Sequence, residues 1–398
     1  MLRKLLFITL IFSAFASYQG RAATNDIRYP ESDKTMDYLE RVANWQLPRL
    51  LKADYVTTGR KASENPKHWI QGAFYTGLAK LAERSDNPSY EKWIGMIGHE
   101  EKWRLAGRLF HADDHIIGQS YIWYYQRNNG TPQMLSHTIS QFDKILQAKP
   151  NVSLDFIPVA QNKSKSDCQQ RWCWADALFM SPPTWFALAN ATGNKKYADF
   201  AHKEFRATLD FLFDPETQLV YRDSRYMNMR GDFGEKIFWS RGIGWVMGGL
   251  VHTLDLLEYD DPNRLYYEQY FRRIAHAIKA LQKEDGTWSS SLLAKDKMTN
   301  QESSGTAFFT YAFAWGIKQG LLNPSEYWPV TEKAWTALVS FIHPDGMLGY
   351  VQKIGDAPSE SPYDSTQIYG SGAFLLAGTM IYDLGLYQEK RLIQQSEN

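Results

Sequence analysis

Cysteine is nearly absent from this chain, with two in 398 residues. No second Cys or His pair stands at ligand spacing from them, which argues against a zinc module. Net charge is lacking too. Lys and Arg total 44 against 44 Asp and Glu, so no basic field draws the chain to nucleic acid, and none of the nucleic-acid motifs occurs. No Pro-, Gly- or Ser-rich or low-complexity stretch divides the sequence, so it reads as one long domain. Apolar runs of membrane length are also missing. Near the N-terminus, Arg3 and Lys4 precede an apolar run from Leu5 to Ala16 that is too short to span a bilayer, and small residues follow at Gly20-Arg21-Ala22-Ala23. That order is the pattern of a secretory signal. No cysteine near the cleavage point supports lipid anchoring. The expected boundaries are a signal peptide at 1–23, a folded domain at 24–388 and a frayed polar tail at 389–398. The expected location is an exported compartment, most simply a bacterial periplasm, with no membrane attachment after cleavage.

What the chain has in plenty is aromatic residues, 14 Trp, 23 Tyr and 21 Phe, and helical periodicity. Thr35 to Leu51 is amphipathic. Lys195 to Phe213 carries Ala198, Ala201, Phe205, Leu209 and Leu212 on one face, and Pro262 to Gln282 carries Tyr267, Phe271, Ile274, Ile278 and Leu281. These spacings of three and four predict helices with one wet side. A second class of segment is apolar nearly all round and opens on small or acidic residues. Members begin near Trp69, Asp114, Asp176, Gly242, Gly305 and Gly372, the last five at intervals of 62 to 67 residues. A repeat of this length, alternating wet and dry helices six times, predicts an all-α fold, an (α/α)6 toroid of outer and inner helices. An open solenoid is the alternative, but its repeats run shorter. In a toroid every inner helix starts on one rim, so Asp114, Asp176 and Arg241 share a face, fed by long aromatic loops.

The stretch with most chemistry is Arg171-Trp172-Cys173-Trp174-Ala175-Asp176, which leads into a predicted helix from Ala177 to Ala191. Asp176 has two readings. It can cap the helix, or, desolvated by indoles, it can be a carboxyl that stays protonated near neutral pH. Cys168 and Cys173 are close enough for a local disulfide in an oxidising compartment, two buried thiols being the alternative. Asp113 and Asp114, flanked by His111 and His115, read as a metal or polar-substrate contact or, more commonly, as a helix cap with a solvated neighbour, with no third motif to favour metal. Trp239-Ser240-Arg241-Gly242-Ile243-Gly244-Trp245 offers a bidentate arginine and stacking faces, or else a structural arginine paired with a buried acid; its GxG lacks the βαβ context of a dinucleotide site.

Trp174-Ala175-Asp176 through Pro182-Pro183, followed by Trp239-x-Arg241-Gly-x-Gly-Trp245, resembles glycoside hydrolase family 105, the unsaturated rhamnogalacturonyl hydrolases, with family 88 as a neighbour. The resemblance covers nearly the whole mature chain, including Asp113-Asp114-x-x-x-Gly118 and Glu302-Ser303-Ser304-Gly305. It implies Asp176 as general acid and base and a sugar-binding acid at Asp113 or Asp114, assigned to Asp114. It also implies a substrate site of Trp174, Met180, Trp239, Arg241 and Trp245, and no metal or other cofactor. Many members carry a histidine in the loop before Trp-x-Arg; this chain has Tyr221-Arg222-Asp223-Ser224-Arg225-Tyr226 instead. The implied reaction removes a 4,5-unsaturated uronic acid, galacturonyl before glucuronyl, from lyase products such as rhamnogalacturonan or pectin fragments. Asp176 protonates C4 and water attacks C5. A conventional inverting glycosidase, with Asp114 facing Asp176, is the rival enzyme. An exported glycan-binding protein is the non-enzymatic alternative.

Overall fold

The computed structural model describes residues 27–56, 59–160, 162–294 and 296–396. The expected signal and its cleavage point lie outside these residues. Twelve helices alternate between two rings. The outer ring holds α1 (Ser32–Gln46), α3 (Ser89–Glu100), α5 (Gln133–Ala148), α7 (Lys195–Leu212), α9 (Arg264–Lys279) and α11 (Pro324–Ser340). The inner ring holds α2 (Trp69–Ala82), α4 (Ile117–Arg127), α6 (Pro182–Thr192), α8 (Ser240–Leu256), α10 (Ser303–Lys318) and α12 (Ile368–Ser396). Each inner helix packs on the next, and α12 returns to α2, so the ring closes. The only paired strands among the described residues, Phe213–Asp214 and Leu219–Val220, form a short antiparallel hairpin after α7.

The two helix classes have different burial. On α9, Tyr267, Phe271, Ile274 and Ile278 are buried along one stripe, whereas on α8 and α10 nearly every side chain is buried. Close packing of the inner ring needs small residues at its contacts. A Cβ built on Gly372 of α12 would stand 2.5 Å from the Ala73 carbonyl oxygen, and one on Gly77 of α2 would stand 2.4 Å from the Gly372 carbonyl oxygen. Only glycine allows that approach of two backbones.

Two segments differ from expectation. The helix foreseen from Ala177 to Ala191 is split into a turn, Ala177–Met180, and α6, because Pro182 and Pro183 supply no N–H to bond back across the junction at Ser181. The polar tail is not frayed within the described residues. Helix α12 continues to Ser396, and Glu389 accepts hydrogen bonds from the Ser32 backbone N–H at 2.8 Å and from its hydroxyl at 2.6 Å. The carboxylate thereby holds the N-terminus of α1, where the helix dipole favours negative charge.

Candidate active site

The loops that enter the inner helices meet at one rim and enclose a cleft of about 300 Å³, whose lining includes Asp113, Trp174, Asp176, Met180, Arg222 and Arg225. A second cavity, of about 240 Å³, opens between α2, α4, α6 and α8 and contains none of these residues.

Asp176 reaches the cleft through a reversal of the chain. Trp172 takes a left-handed backbone conformation, φ +58°, which is uncommon for a bulky side chain and persists only where packing fixes it. Its indole is buried against Trp185 and Phe200, and a disulfide joins Cys168 to Cys173 on either side of it. The Ala175 N–H then bonds the Arg222 carbonyl at 2.8 Å, docking this turn on the next loop. Asp176 makes no side-chain cap bond, so the capping alternative fails. Its Oδ2 faces Arg222 Nε at 3.4 Å without forming a hydrogen bond. The side chain is 13% exposed, and burial pushes its pKa up to about 6 against the opposing pull of Arg222 and Arg241.

The paired acids divide. Asp114 turns away from the cleft and accepts from Arg108 Nε at 3.0 Å and from the Arg108 backbone N–H at 2.6 Å, closing the loop beneath it. Asp113 is the one that lines the cleft, and burial raises its carboxyl to about 6 as well. The assignment of the cleft-facing acid to Asp114 is therefore corrected by one residue. His111 lies against Trp174, with burial lowering it to about 3. His115 is neutral for the same reason: it donates through Nε2 to the Leu109 carbonyl and accepts at Nδ1 from the Ser181 hydroxyl. Among the described residues no group of three His, Cys, Asp or Glu is placed to hold a metal.

Trp239, Arg241 and Trp245 do not line the cleft. Arg241 is 1% exposed. Its Nη1 donates to the Gln352 carbonyl at 3.2 Å and to the Tyr369 hydroxyl, and its Nη2 to the carbonyls of Lys353 at 3.1 Å and Gly355 at 3.2 Å. Trp239 donates to the Gln352 side chain at 2.8 Å, and Trp245 packs in the core between Phe179 and Phe308. These three residues begin α8, and the strap formed by residues 352–359 lies over Trp239 and Arg241. Ile354, Gly355 and Asp356 of that strap face the cleft instead.

The cations that do face the cleft lie on a loop the sequence marked only for its missing histidine. Arg225 grips the fully buried Asp223 through Nε and Nη2, both at 2.8 Å, and reaches Asp356 at 3.0 Å. Arg222 donates to Asp223 through Nη1 at 2.7 Å. A buried carboxylate thus sets both guanidinium groups in place beside a pair of carboxyls that resist ionisation.

Comparison with known proteins identifies the family. The sequence pattern of glycosyl hydrolase family 88 matches residues 38–384. The chain belongs to this family. It is 38% identical over 346 residues to an unsaturated 3S-rhamnoglycuronyl hydrolase from Alteromonas sp., spanning 85% of this chain and 84% of that one. It is 37% identical to a protein of the same name from Formosa agariphila, spanning 80% and 85%. Among solved structures, a family 88 hydrolase from Bacteroides vulgatus superposes with a TM-score of 0.75 at 26% identity, covering 89% of this chain and 99% of that one. A protein described as a polysaccharide lyase superposes with a TM-score of 0.74 at 28% identity, covering 89% and 98%. Structures described as possible family 105 members share the fold at 16% identity. This family 88 member is therefore a glycoside hydrolase acting on an oligosaccharide, built as a six-hairpin helical toroid.

Proposed function

We propose that this enzyme removes a terminal 4,5-unsaturated uronic acid from the oligosaccharides a polysaccharide lyase releases, by adding water across the double bond. The observation that carries the reading is Asp176, a carboxyl in the cleft with a pKa raised to about 6 and an Oδ2 that has no hydrogen-bond partner. Such a group gives a proton and takes one back. Asp176 protonates C4, positive charge develops at C5, and water adds there while its proton returns to Asp176. The hemiketal opens, and the neighbouring sugar leaves. Asp113, Trp174 and Met180 form the surrounding contacts.

The two relatives named 3S-rhamnoglycuronyl hydrolases support a uronyl-rhamnose linkage; the relative named an unsaturated rhamnogalacturonyl hydrolase, from Bacillus subtilis, is 22% identical. Glucuronate and galacturonate differ only in configuration at C4, which becomes planar in the unsaturated residue. Both parents give the same terminal sugar, so the galacturonyl and glucuronyl readings differ in the aglycone alone. The conventional inverting mechanism needs one ionised base and one protonated acid, with pKa values pushed apart. Here Asp113 and Asp176 are both pushed upward to about 6, which disfavours that division of labour. The signal-like N-terminus and the disulfide support action after export, most simply in a periplasm.

The lyase-like structure motivates a second reading, in which the cleft creates the double bond. The two readings have opposite signs: hydration removes the ultraviolet absorbance of the unsaturated uronate, and elimination generates it. In heavy-oxygen water the label should enter at C5, and in deuterated water one deuterium should be retained at C4. Label entering at C1, or rising absorbance on intact polymer, overturns the proposal.

A further inference from the structure

Three arginines of this protein share one habit. Arg84 holds Asp383, Arg108 holds Asp114 and Arg225 holds Asp223 with the same edge of the guanidinium, Nε together with Nη2. That edge presents two parallel N–H groups matched to the two oxygens of a carboxylate. Arg222 departs from the habit. Its Nη1 is fixed on Asp223 at 2.7 Å. Its Nε faces Asp176 Oδ2 at 3.4 Å and makes no hydrogen bond, and among the described residues Nη2 has no partner either. Arg222 lines the cleft, whereas Arg241 spends both terminal nitrogens on the strap.

We propose that Arg222, and not Arg241, receives the carboxylate of the substrate's uronyl group on its Nε/Nη2 edge, and that this binding delivers the catalytic proton to Asp176. The inference rests on the hydration reading above. The coupling follows from charge. In the free protein Arg222 is the cation nearest Asp176 and favours its ionised form; Arg241 acts in the same direction, and Asp113 opposes both. Arg222 is itself faced by Asp176, Asp223 and Asp356. When a second carboxylate docks on the edge that Asp176 faces, two negative charges share one guanidinium, and like charges at that range cannot both persist. The substrate carboxylate keeps the two hydrogen bonds. Asp176 takes up one proton from solvent, which is the proton it then transfers to C4, and the attacking water restores it. The substrate thus arms the acid that consumes it.

Two measurements on the full-length protein test this. The first needs no variant: kcat/KM and kcat are followed against pH with a lyase-generated disaccharide. The basic limb reports free Asp176 in kcat/KM and bound Asp176 in kcat, and the limb in kcat should lie about one pH unit or more higher, as expected when a neighbouring charge is compensated. Superimposed limbs overturn the proton delivery. The second compares binding of that disaccharide and its uronate methyl ester to Asp176→Asn and to Asp176→Asn/Arg222→Gln. Loss of a charge-assisted pair should weaken the free acid by roughly 10- to 100-fold and leave the neutral ester within about 3-fold, an interval smaller than one hydrogen bond. Equal losses for acid and ester, or no loss, overturn the assignment. The isotope-label experiment stands apart from both, so failure of the hydration reading is told from failure of this one.

Discussion

A carboxyl that donates a proton and retrieves it works best near the pH at which it is half ionised, and in this cleft two carboxyls meet that condition. In the proposed mechanism Asp176 must be protonated to begin a cycle, and its raised pKa means that this form persists up to about pH 6. We expect kcat/KM to hold below that pH and to fall above it. The charge of Asp113 adds to the rise at Asp176, so Asp113→Asn should move the falling limb to lower pH. A limb that moves upward would contradict the electrostatics. Asp176→Asn should remain folded and bind substrate without turning it over. Arg241 calls for a different expectation. Its guanidinium bridges three carbonyls of the strap, a planar span that an ammonium cannot match. Arg241→Lys should therefore lower the denaturant midpoint by an amount equivalent to about 2–3 kcal/mol, where a pure substrate ligand would leave it unchanged. Asp176 was readable in the sequence because tryptophans flank an acid at a helix start. Arg222 was not, since Arg222-Asp223-Ser224-Arg225 lies in a loop without periodicity and gains meaning only from what Asp223 and Asp176 do around it. The Trp-x-Arg segment was ambiguous for the converse reason: its residue types suit a sugar site or a structural arginine, and only the strap, more than 100 positions later, covers Trp239 and Arg241.

Among elements, the inner helices were the most legible part. Side chains buried all round leave an uninterrupted apolar signal, and the starts at Trp69, Gly242, Gly305 and Gly372 fall within four residues of observed helix ends. The turn before α6 was less legible because the proline pair acts on a hydrogen-bond ladder that periodicity does not register. The pairing of α2 with α12 depends on backbones in near contact. Gly372→Ala would press a methyl group on Ala73 and Phe74 backbone atoms, and backbone cannot yield as a flexible side chain does. We expect a loss of about 1–3 kcal/mol, the usual cost of overpacking, seen as a lower urea midpoint with an unchanged slope.

For the molecule as a whole, the six-fold spacing of dry helices indicated a closed ring, and the family comparison and the contact between α12 and α2 agree. The sequence reading missed how the ends are tied. The last turns of α12 look like dispensable polar sequence, yet Gln388 bonds the backbone of Ile27 and Tyr29, and Glu389 bonds Ser32. Bonds between residues some 360 positions apart leave no trace in local composition. Deleting residues 389–398 should cost about 1 kcal/mol, the value of a helix cap, read as a lower Tm; an unchanged Tm would mean that the tail is idle.

The same closure has a consequence for how the chain acquires its shape. Helix α2 finds its last neighbour only in α12, and α1 is held by a side chain 357 positions further along the chain. A partial chain, however long, exposes one flank of α2 as bare apolar helix. Contacts of such separation fold slowly and leave intermediates that aggregate. Closure of the ring must therefore wait for α12, and the nascent chain depends on staying unfolded, or held, until that helix arrives.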